Sequence, residues 1–152
     1  MRIFELDYKN AEAVNEAALE IFWYDSIEDY AGELIWGSLL EQDTYGDRHF
    51  FAAYVEENLV GIVNLYEEDD KFWIGWFGVI KEHRGKGYGK EILDWICARA
   101  KLVYSCRTIY LYTSTRKEEE SARRLYEKSG FILDKRENTG KGYRNIYYSK
   151  KI

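Results

Sequence analysis

The sequence predicts an α/β (α+β) fold in which one mixed, mostly antiparallel central sheet carries helices on both faces. Apolar residues recur with strand and helix periods in alternation along the whole chain. Short turns join three consecutive strands in the middle of the chain, and such turns are typical of antiparallel hairpins. Strand–helix–strand segments follow, which require crossover connections within the sheet. Because the 152 residues hold no repeat, linker or low-complexity tract, we expect a single domain over residues 1–152.

The N-terminal segment predicts a short strand and two helices. Residues 2–6 form the strand, and Asn10 can cap a helix whose apolar positions recur at helical spacing. Ser26 and Asp29 form a variant of the capping box, in which side chains satisfy free backbone N–H groups at a helix start. We therefore expect the second helix to begin directly after Ser26.

The remaining chain predicts six strands and two further helices. Thr115 and Glu118 form a T-x-x-E capping box for a helix that ends at Gly130, where glycine favours a left-handed stop. The other predicted helix covers residues 88–102. The predicted strands cover residues 49–55, 59–66, 72–79, 108–113, 131–135 and, after a glycine-containing turn, 143–149.

Composition excludes several classes of protein and site. The net charge of -5 and the pI of about 5.2 argue against binding to nucleic acid. The longest apolar run, residues 72–80, is too short for a membrane helix, and the N-terminus lacks a signal-peptide stretch. We therefore expect a cytoplasmic protein that does not bind membranes. Cys97 and Cys106 are too few for a disulfide framework, and with only His49 and His83 no metal site is expected.

A basic, glycine-rich loop at residues 81–90 interrupts this acidic chain. Its cationic side chains are opposed only by Glu82, which favours one small anionic ligand. The loop leads from a predicted strand into a predicted helix, whose first turn has unpaired N–H groups and the positive end of the helix dipole. Glycines let this backbone approach a phosphate, so no metal ion is needed. A solvated turn is the plainer alternative.

Two common phosphate-binding motifs do not fit this loop. A Walker A loop needs Ser or Thr after its Gly-Lys pair, but Glu91 follows Lys90, and Arg84 stands where the first glycine belongs. A dinucleotide-binding G-x-G-x-x-G that starts at Gly85 would need a glycine at Lys90. Enzymes that bind nucleoside triphosphates or dinucleotides are therefore disfavoured.

The pattern that does fit is R-x-x-G-x-G, formed by Arg84, Gly87 and Gly89. It resembles the pyrophosphate loop of the GNAT superfamily of acetyl-CoA-dependent N-acetyltransferases. Residues 122–131, with Tyr126 at their centre, resemble the A-x-x-x-Y-x-x-x-G-F segment of the same superfamily. Both blocks occur in the superfamily's order, so the resemblance implies a GNAT-like fold and transfer of an acetyl group from acetyl-CoA to a primary amine of a small molecule or peptide.

The resemblance implies a role for each matching residue. The strand edge at Phe77, Gly78 and Val79 would face the pantetheine arm, and the backbone N–H near Val79 would stabilise the oxyanion. The Tyr126 hydroxyl would protonate the departing thiolate as general acid, although the apolar stripe around Tyr126 also fits a core residue. Backbone N–H groups would hold the pyrophosphate beside Arg84, and they belong to Gly85, Lys86, Gly87, Tyr88, Gly89 and Lys90.

Two positions depart from the superfamily pattern. Lys81 stands where the family often has proline, and this difference affects only the rigidity of the loop. Glu119 stands where asparagine is frequent, so we assign no cofactor hydrogen bond there. By charge alone, the acidic runs at residues 67–70 and 118–120 are predicted to be solvated.

The acceptor site is expected in the segment between the first two strands, residues 20–45, as in other members of the superfamily. Aromatic and acidic side chains there suit a cationic amine, and they could instead pack the two helices against the sheet. These side chains are Trp23, Tyr24, Asp25, Glu28, Asp29, Tyr30, Glu33 and Trp36.

The general base is left open by the sequence, because the strand before the loop carries no carboxylate. The candidates are Asp25, Glu28, Glu33 and His49. The expected partners are acetyl-CoA and an amine, and the chain is expected to act as a monomer or a homodimer. The alternative function is a non-catalytic acyl-CoA-binding or regulatory module on the same fold.

Overall fold

A computed structural model describes residues 1–40 and 48–152. The described residues form seven strands and four helices. In chain order they are β1 (Arg2–Glu5), α1 (Ala11–Ile21), α2 (Ala31–Leu39), β2 (Arg48–Val55), β3 (Asn58–Glu68), β4 (Lys71–Val79), α3 (Tyr88–Tyr104), β5 (Thr108–Ser114), α4 (Glu120–Lys128), β6 (Ile132–Asn138) and β7 (Arg144–Lys151). Most of their ends lie close to those predicted from the sequence, but α2 and α4 begin several residues later than predicted.

The strands form one sheet with the order β1-β2-β3-β4-β5-β7-β6. Each neighbouring pair is antiparallel except β4 and β5, which are parallel because α3 carries the chain back across the sheet. The predicted fold class, a mixed and mostly antiparallel sheet with helices, is confirmed. The single parallel pair lies at the centre of the sheet, where α3 begins.

Two apolar layers, one on each face of the sheet, hold the helices in place. On one face Ile92 and Ile96 of α3 pack with Leu111 of β5 and are fully buried. On the other face Val14 of α1 and Ile35 of α2 are equally buried. Burial of each such side chain contributes roughly 1.5–3 kcal/mol, so both layers fix the helices that border the central strands.

The capping box predicted at Ser26 and Asp29 is wrong. Ser26 has a φ of 47°, in the left-handed region, whereas a helix N-cap has extended backbone. The chain makes a short 3-10 turn at Trp23–Asp25, and α2 begins only at Ala31, without a side-chain cap.

Asn10 is confirmed as the N-cap position of α1, whereas the cap predicted for α4 is wrong. Asn10 makes no side-chain cap; instead the carboxylate of Asp7 accepts hydrogen bonds from the backbone N–H groups of Lys9 and Asn10, each at 2.9 Å. Thr115 Oγ1 accepts a hydrogen bond from the Arg144 N–H at 3.0 Å and so ties the start of β7 to the end of β5. At Thr115, a tertiary partner has taken over the side chain that the local motif assigned to a helix start.

Candidate active site

One cavity of about 1330 Å³ lies between β4, β5 and the start of α3. It gathers nearly every site residue predicted from the sequence, although those residues come from separate parts of the chain. Lys86 is exposed outside the cavity lining. The predicted residues that line it are Phe77, Gly78, Val79, Arg84, Gly85, Gly87, Tyr88, Gly89, Lys90 and Tyr126.

The opening exists because β4 and β5 separate. Their parallel pairing covers only Phe72–Ile74 with Ile109–Leu111, and beyond these residues β4 has no pairing to β5. On its other edge β4 contains a bulge, because Ile62 pairs with Gly78 while Asn64 pairs with Gly75. Trp76 within the bulge has a φ of 43°, and the added twist turns the end of β4 away from its neighbour. The β5-facing edge of residues 75–79 therefore borders the cavity.

The glycine loop is shaped by two residues with positive φ. Gly85 and Gly87 have φ values of 77° and 83°, which glycine adopts without strain, and a Cβ at either position would meet no atom within 4 Å. These two positions thus favour glycine because of their backbone conformation and not because of lack of space. The first hydrogen bond of α3 runs from the Glu91 N–H to the Gly87 carbonyl at 3.2 Å. The N–H groups before Glu91 belong to the unpaired first turn, which attracts anions.

Two basic side chains of the loop have partners within the protein. The Arg84 Nε donates to the Val79 carbonyl at 2.9 Å and so ties the loop to the end of β4. Lys90 pairs with Asp94 one turn along α3. The unpaired backbone N–H groups of the first turn of α3 thus remain available as donors for a phosphate. Arg84 fixes the shape of the loop through its bond to Val79.

Tyr126 lies on α4 with its ring packed inside the protein. The ring is 6% exposed, and its centroid lies 5.9 Å from that of Phe77, 6.0 Å from Phe131 and 6.1 Å from Tyr148. Burial, followed by the nearby charge of Glu119, raises the pKa of the Tyr126 hydroxyl, which is therefore protonated at neutral pH. In the described part of the chain the hydroxyl has no hydrogen-bond partner, although the residue lines the cavity. Its packing role is thus established, while its role as general acid stays a prediction.

Glu119 is held in an ion pair at the wall of this cavity. Its side chain is 16% exposed and lies 3.7 Å from the Arg116 guanidinium, so the prediction that the 118–120 run is solvated is wrong at this residue. The Ser114 hydroxyl donates to the same carboxylate, and the Tyr24 hydroxyl lies 3.5 Å from it. Arg116 also pairs with Asp25 at 2.6 Å. Sequence reasoning missed Arg116, because no local motif announces a partner 91 residues away.

Residues 20–40 are the described part of the expected acceptor segment, and residues 41–45 lie outside the described residues. The described part contributes only some of its aromatic and acidic side chains to the cavity. Trp36 lies outside it, with its ring centroid 6.4 Å from that of Tyr8, and therefore packs on the surface. Tyr30 both lines the cavity and packs against a neighbouring ring, since its ring centroid lies 5.9 Å from that of Trp76 in an edge-on contact. The members that line the cavity are Trp23, Tyr24, Asp25, Tyr30 and Glu33.

The four candidates for a general base differ in whether they line the cavity and in whether an ion pair occupies them. His49 lies away from the cavity, where its Nδ1 is 2.9 Å from Glu5, and Glu28 is not part of the lining. Asp25 lines the cavity, but the ion pair with Arg116 occupies its carboxylate. Glu33 lines the cavity and forms no ion pair with another described residue. Geometry therefore favours Glu33 among the four.

The model of the acetyltransferase (GNAT) family matches residues 11–131, most of the chain and both blocks of the resemblance. The chain belongs to this family. In this GNAT chain, no group of three or more His, Cys, Asp or Glu side chains within residues 1–40 and 48–152 is placed to hold a metal ion. No helix in the same ranges is long and apolar enough to cross a membrane.

Two curated relatives of this GNAT chain come from Bacillus subtilis. They are a probable spermine N(1)-acetyltransferase of subspecies natto (strain BEST195), 35% identical, and a spermine/spermidine N(1)-acetyltransferase of strain 168, 34% identical. Each match spans 89 residues, which are 57% of this chain and 53% of the relative. The chain thus matches about half the length of these relatives.

Solved structures share the fold over nearly the whole chain. A GNAT-family acetyltransferase from Desulfovibrio desulfuricans superposes with a TM-score of 0.85 at 20% identity, covering 99% of this chain and 98% of that one. A spermidine N-acetyltransferase from Vibrio cholerae, solved with CoA and spermine, gives 0.79 at 16% identity, covering 99% and 94%. At these identities the likeness establishes the GNAT fold.

Proposed function

We propose that this chain is an N-acetyltransferase that moves an acetyl group from acetyl-CoA to a primary amine by direct transfer. One observation carries the proposal. A single cavity brings together the glycine loop at the start of α3, the unpaired edge of β4 and the buried Tyr126. These features supply anion binding, an extended binding edge and a proton donor, and they occur in a chain of the GNAT family.

The proposed binding of acetyl-CoA uses the backbone more than side chains. The N–H groups from Gly85 to Lys90 hold the pyrophosphate at the positive end of α3. The pantetheine arm then lies along residues 77–79, where β4 is unpaired towards β5. Its thioester thereby reaches the part of the cavity that Tyr126 borders.

The proposed reaction forms one bond and breaks one. The neutral amine attacks the thioester carbonyl, and the backbone N–H near Val79 stabilises the charge that develops on the carbonyl oxygen. The new C–N bond forms as the C–S bond breaks. Tyr126 donates its proton to the departing sulfur, and Glu33 receives the surplus proton of the amine through water. Holding both substrates in one cavity supplies much of the remaining acceleration.

The proposed acceptor is a cationic aliphatic amine. Tyrosine and tryptophan rings border the acceptor side of the cavity, and carboxylates stand among them, as a binding site for alkylammonium groups requires. The names of the two curated relatives point to the same class, spermine and spermidine. We therefore expect aliphatic diamines and polyamines to be better acceptors than neutral or acidic amines.

An amine panel with acetyl-CoA, read as release of free thiol, tests this proposal. The panel should include polyamines, aminoglycosides, amino acids and peptides with free N-termini. We expect amine-dependent release, fastest with polyamines, and none without an amine. Saturable acetyl-CoA binding with no thiol release for any amine would instead support the non-catalytic acyl-CoA-binding module.

The proposal places this activity in the cytoplasm. Both cysteines are free and buried, which suits a reducing compartment. A monomer and a homodimer both fit the proposal, because every residue named in the mechanism comes from one chain.

A further inference from the structure

The Arg116 guanidinium joins two walls of the cavity that are far apart in the sequence. Asp25 lies in the turn after α1, and Arg116 follows β5. One terminal nitrogen of Arg116 lies 2.6 Å from the Asp25 carboxylate, and the other lies 3.7 Å from Glu119. The contact therefore closes the turn at residues 22–25 against the connection between β5 and α4.

The geometry around this guanidinium suits arginine specifically. Its Nε donates to the Ser114 hydroxyl at 3.0 Å, which fixes the plane of the group. The rings of Tyr24 and Tyr143 lie 5.0 Å and 4.5 Å from it. Lysine could supply the charge but neither the planar fork nor the stacking on rings.

The charges around Arg116 show that the arginine prevents repulsion between two carboxylates. Two carboxylates, Asp25 and Glu119, approach a single cation at a half-buried position. Without the cation the carboxylates would repel each other across the cavity, and one buried charge would lose its partner. The turn that carries Asp25 and Tyr24 would then lose its main polar link to the β5–α4 connection.

We propose that Arg116 is a positioning residue that holds the turn at residues 22–25 in place for the amine acceptor. This inference rests on the proposed function. Trp23, Tyr24 and Asp25 all line the acceptor side of the cavity, so their placement sets the affinity for the amine. None of the Arg116 contacts reaches the glycine loop or the β4 edge, so we expect acetyl-CoA affinity to be independent of Arg116.

Steady-state kinetics of Arg116→Gln and Arg116→Lys tests the inference. We expect Arg116→Gln to raise the KM for the amine roughly tenfold, as for coupled charged contacts, with the KM for acetyl-CoA within about twofold of wild type. Arg116→Lys should recover part of the loss. Asp25→Asn should show the same split, and the double variant Asp25→Asn/Arg116→Gln should be no worse than Arg116→Gln alone. The matched control is Arg124→Gln, which breaks an exposed ion pair with Glu120 outside the cavity.

Amide hydrogen exchange without substrates tests the same inference independently of activity. The Asp25 N–H donates to the Phe22 carbonyl at 2.9 Å, so its exchange reports on the turn. In Arg116→Gln this amide should exchange faster while the amides of α3 are unchanged. An unchanged turn, additive effects of the two substitutions, or an equal rise in both KM values would overturn the inference. Faster exchange in a protein that acetylates no amine would instead show that Arg116 holds the turn in place and would reject the proposed function.

Discussion

Tyr126 packs inside the protein, and the proposed mechanism also gives its hydroxyl a chemical role. Its ring fills the space between α4, β4 and β7 in contact with Phe77 and Tyr148, while its hydroxyl has no partner among the described residues. The Tyr148 hydroxyl, by contrast, lies 3.0 Å from Glu127 and donates to it. A buried phenol usually finds a hydrogen-bond partner. Tyr126 lines the cavity, so its hydroxyl is available to a ligand there, as the proposed mechanism requires.

Replacing Tyr126 with phenylalanine separates the two roles. Tyr126→Phe keeps the ring contacts and removes only the hydroxyl, so we expect little change in stability or acetyl-CoA affinity. Loss of a general acid lowers turnover by roughly 10²-fold or more. Single-turnover acetyl transfer is the proper measurement, because it isolates the chemical step.

The matched control for this variant is Tyr148→Phe. It removes a neighbouring hydroxyl that is already satisfied by Glu127. We expect single-turnover rates close to wild type in the control. If Tyr126→Phe also transfers acetyl at the wild-type rate, the residue is core packing alone and the thiolate leaves by another route.

The connection from β4 to α3 is the element to which we assign cofactor binding in the proposed function. Gly87 lies immediately before α3 with a φ of 83°, and Gly140 in the turn between β6 and β7 has a φ of 72°. A side chain at either glycine meets open space but must adopt left-handed backbone. The two sites thus share the same strain and differ in that only Gly87 lines the cavity.

Gly87→Val should abolish most acetyl-CoA binding in a folded protein. The strain of left-handed backbone costs about 1–2 kcal/mol, and the branched side chain occupies the space where a phosphate must approach the backbone. Calorimetric titration with CoA measures the affinity, and Gly140→Val is the control for strain. Near-equal CoA affinity in the two folded variants would show that the loop is only a turn.

Sequence and structure agree on the strands and on the apolar faces of the helices, and they differ where contacts between distant residues decide the outcome. The glycine loop and α3 were predictable, since an apolar strand, a run of glycines and a helical stripe are adjacent in the chain. The start of α2 was not, because Ser26 adopts left-handed backbone after a turn set by tertiary contacts. Likewise, the acidic residues beside Glu119 in the sequence predict a solvated run. The pairing of Glu119 with Arg116 is visible only in the fold.

At the scale of the whole molecule, the cavity should couple ligand binding to stability. Acetyl-CoA is expected to bind the folded chain and not the unfolded chain, because the sites on α3, β4 and α4 come together only in the fold. At one hundred times its dissociation constant, such a ligand raises the free energy of unfolding by about 2.7 kcal/mol. Thermal melts with and without acetyl-CoA measure this effect, and magnesium should not be required. Flat melts at millimolar acetyl-CoA would contradict the proposed binding.

The most direct measurement is to follow a carbon label from the acetyl group of acetyl-CoA by NMR in the presence of a polyamine. Direct transfer predicts that the label appears in an N-acetyl amide on a primary amine, in step with release of free CoA. The same experiment with Tyr126→Phe should yield this product far more slowly. Label that stays on CoA, or that appears as free acetate, would contradict the assignment of this chain as an amine acetyltransferase.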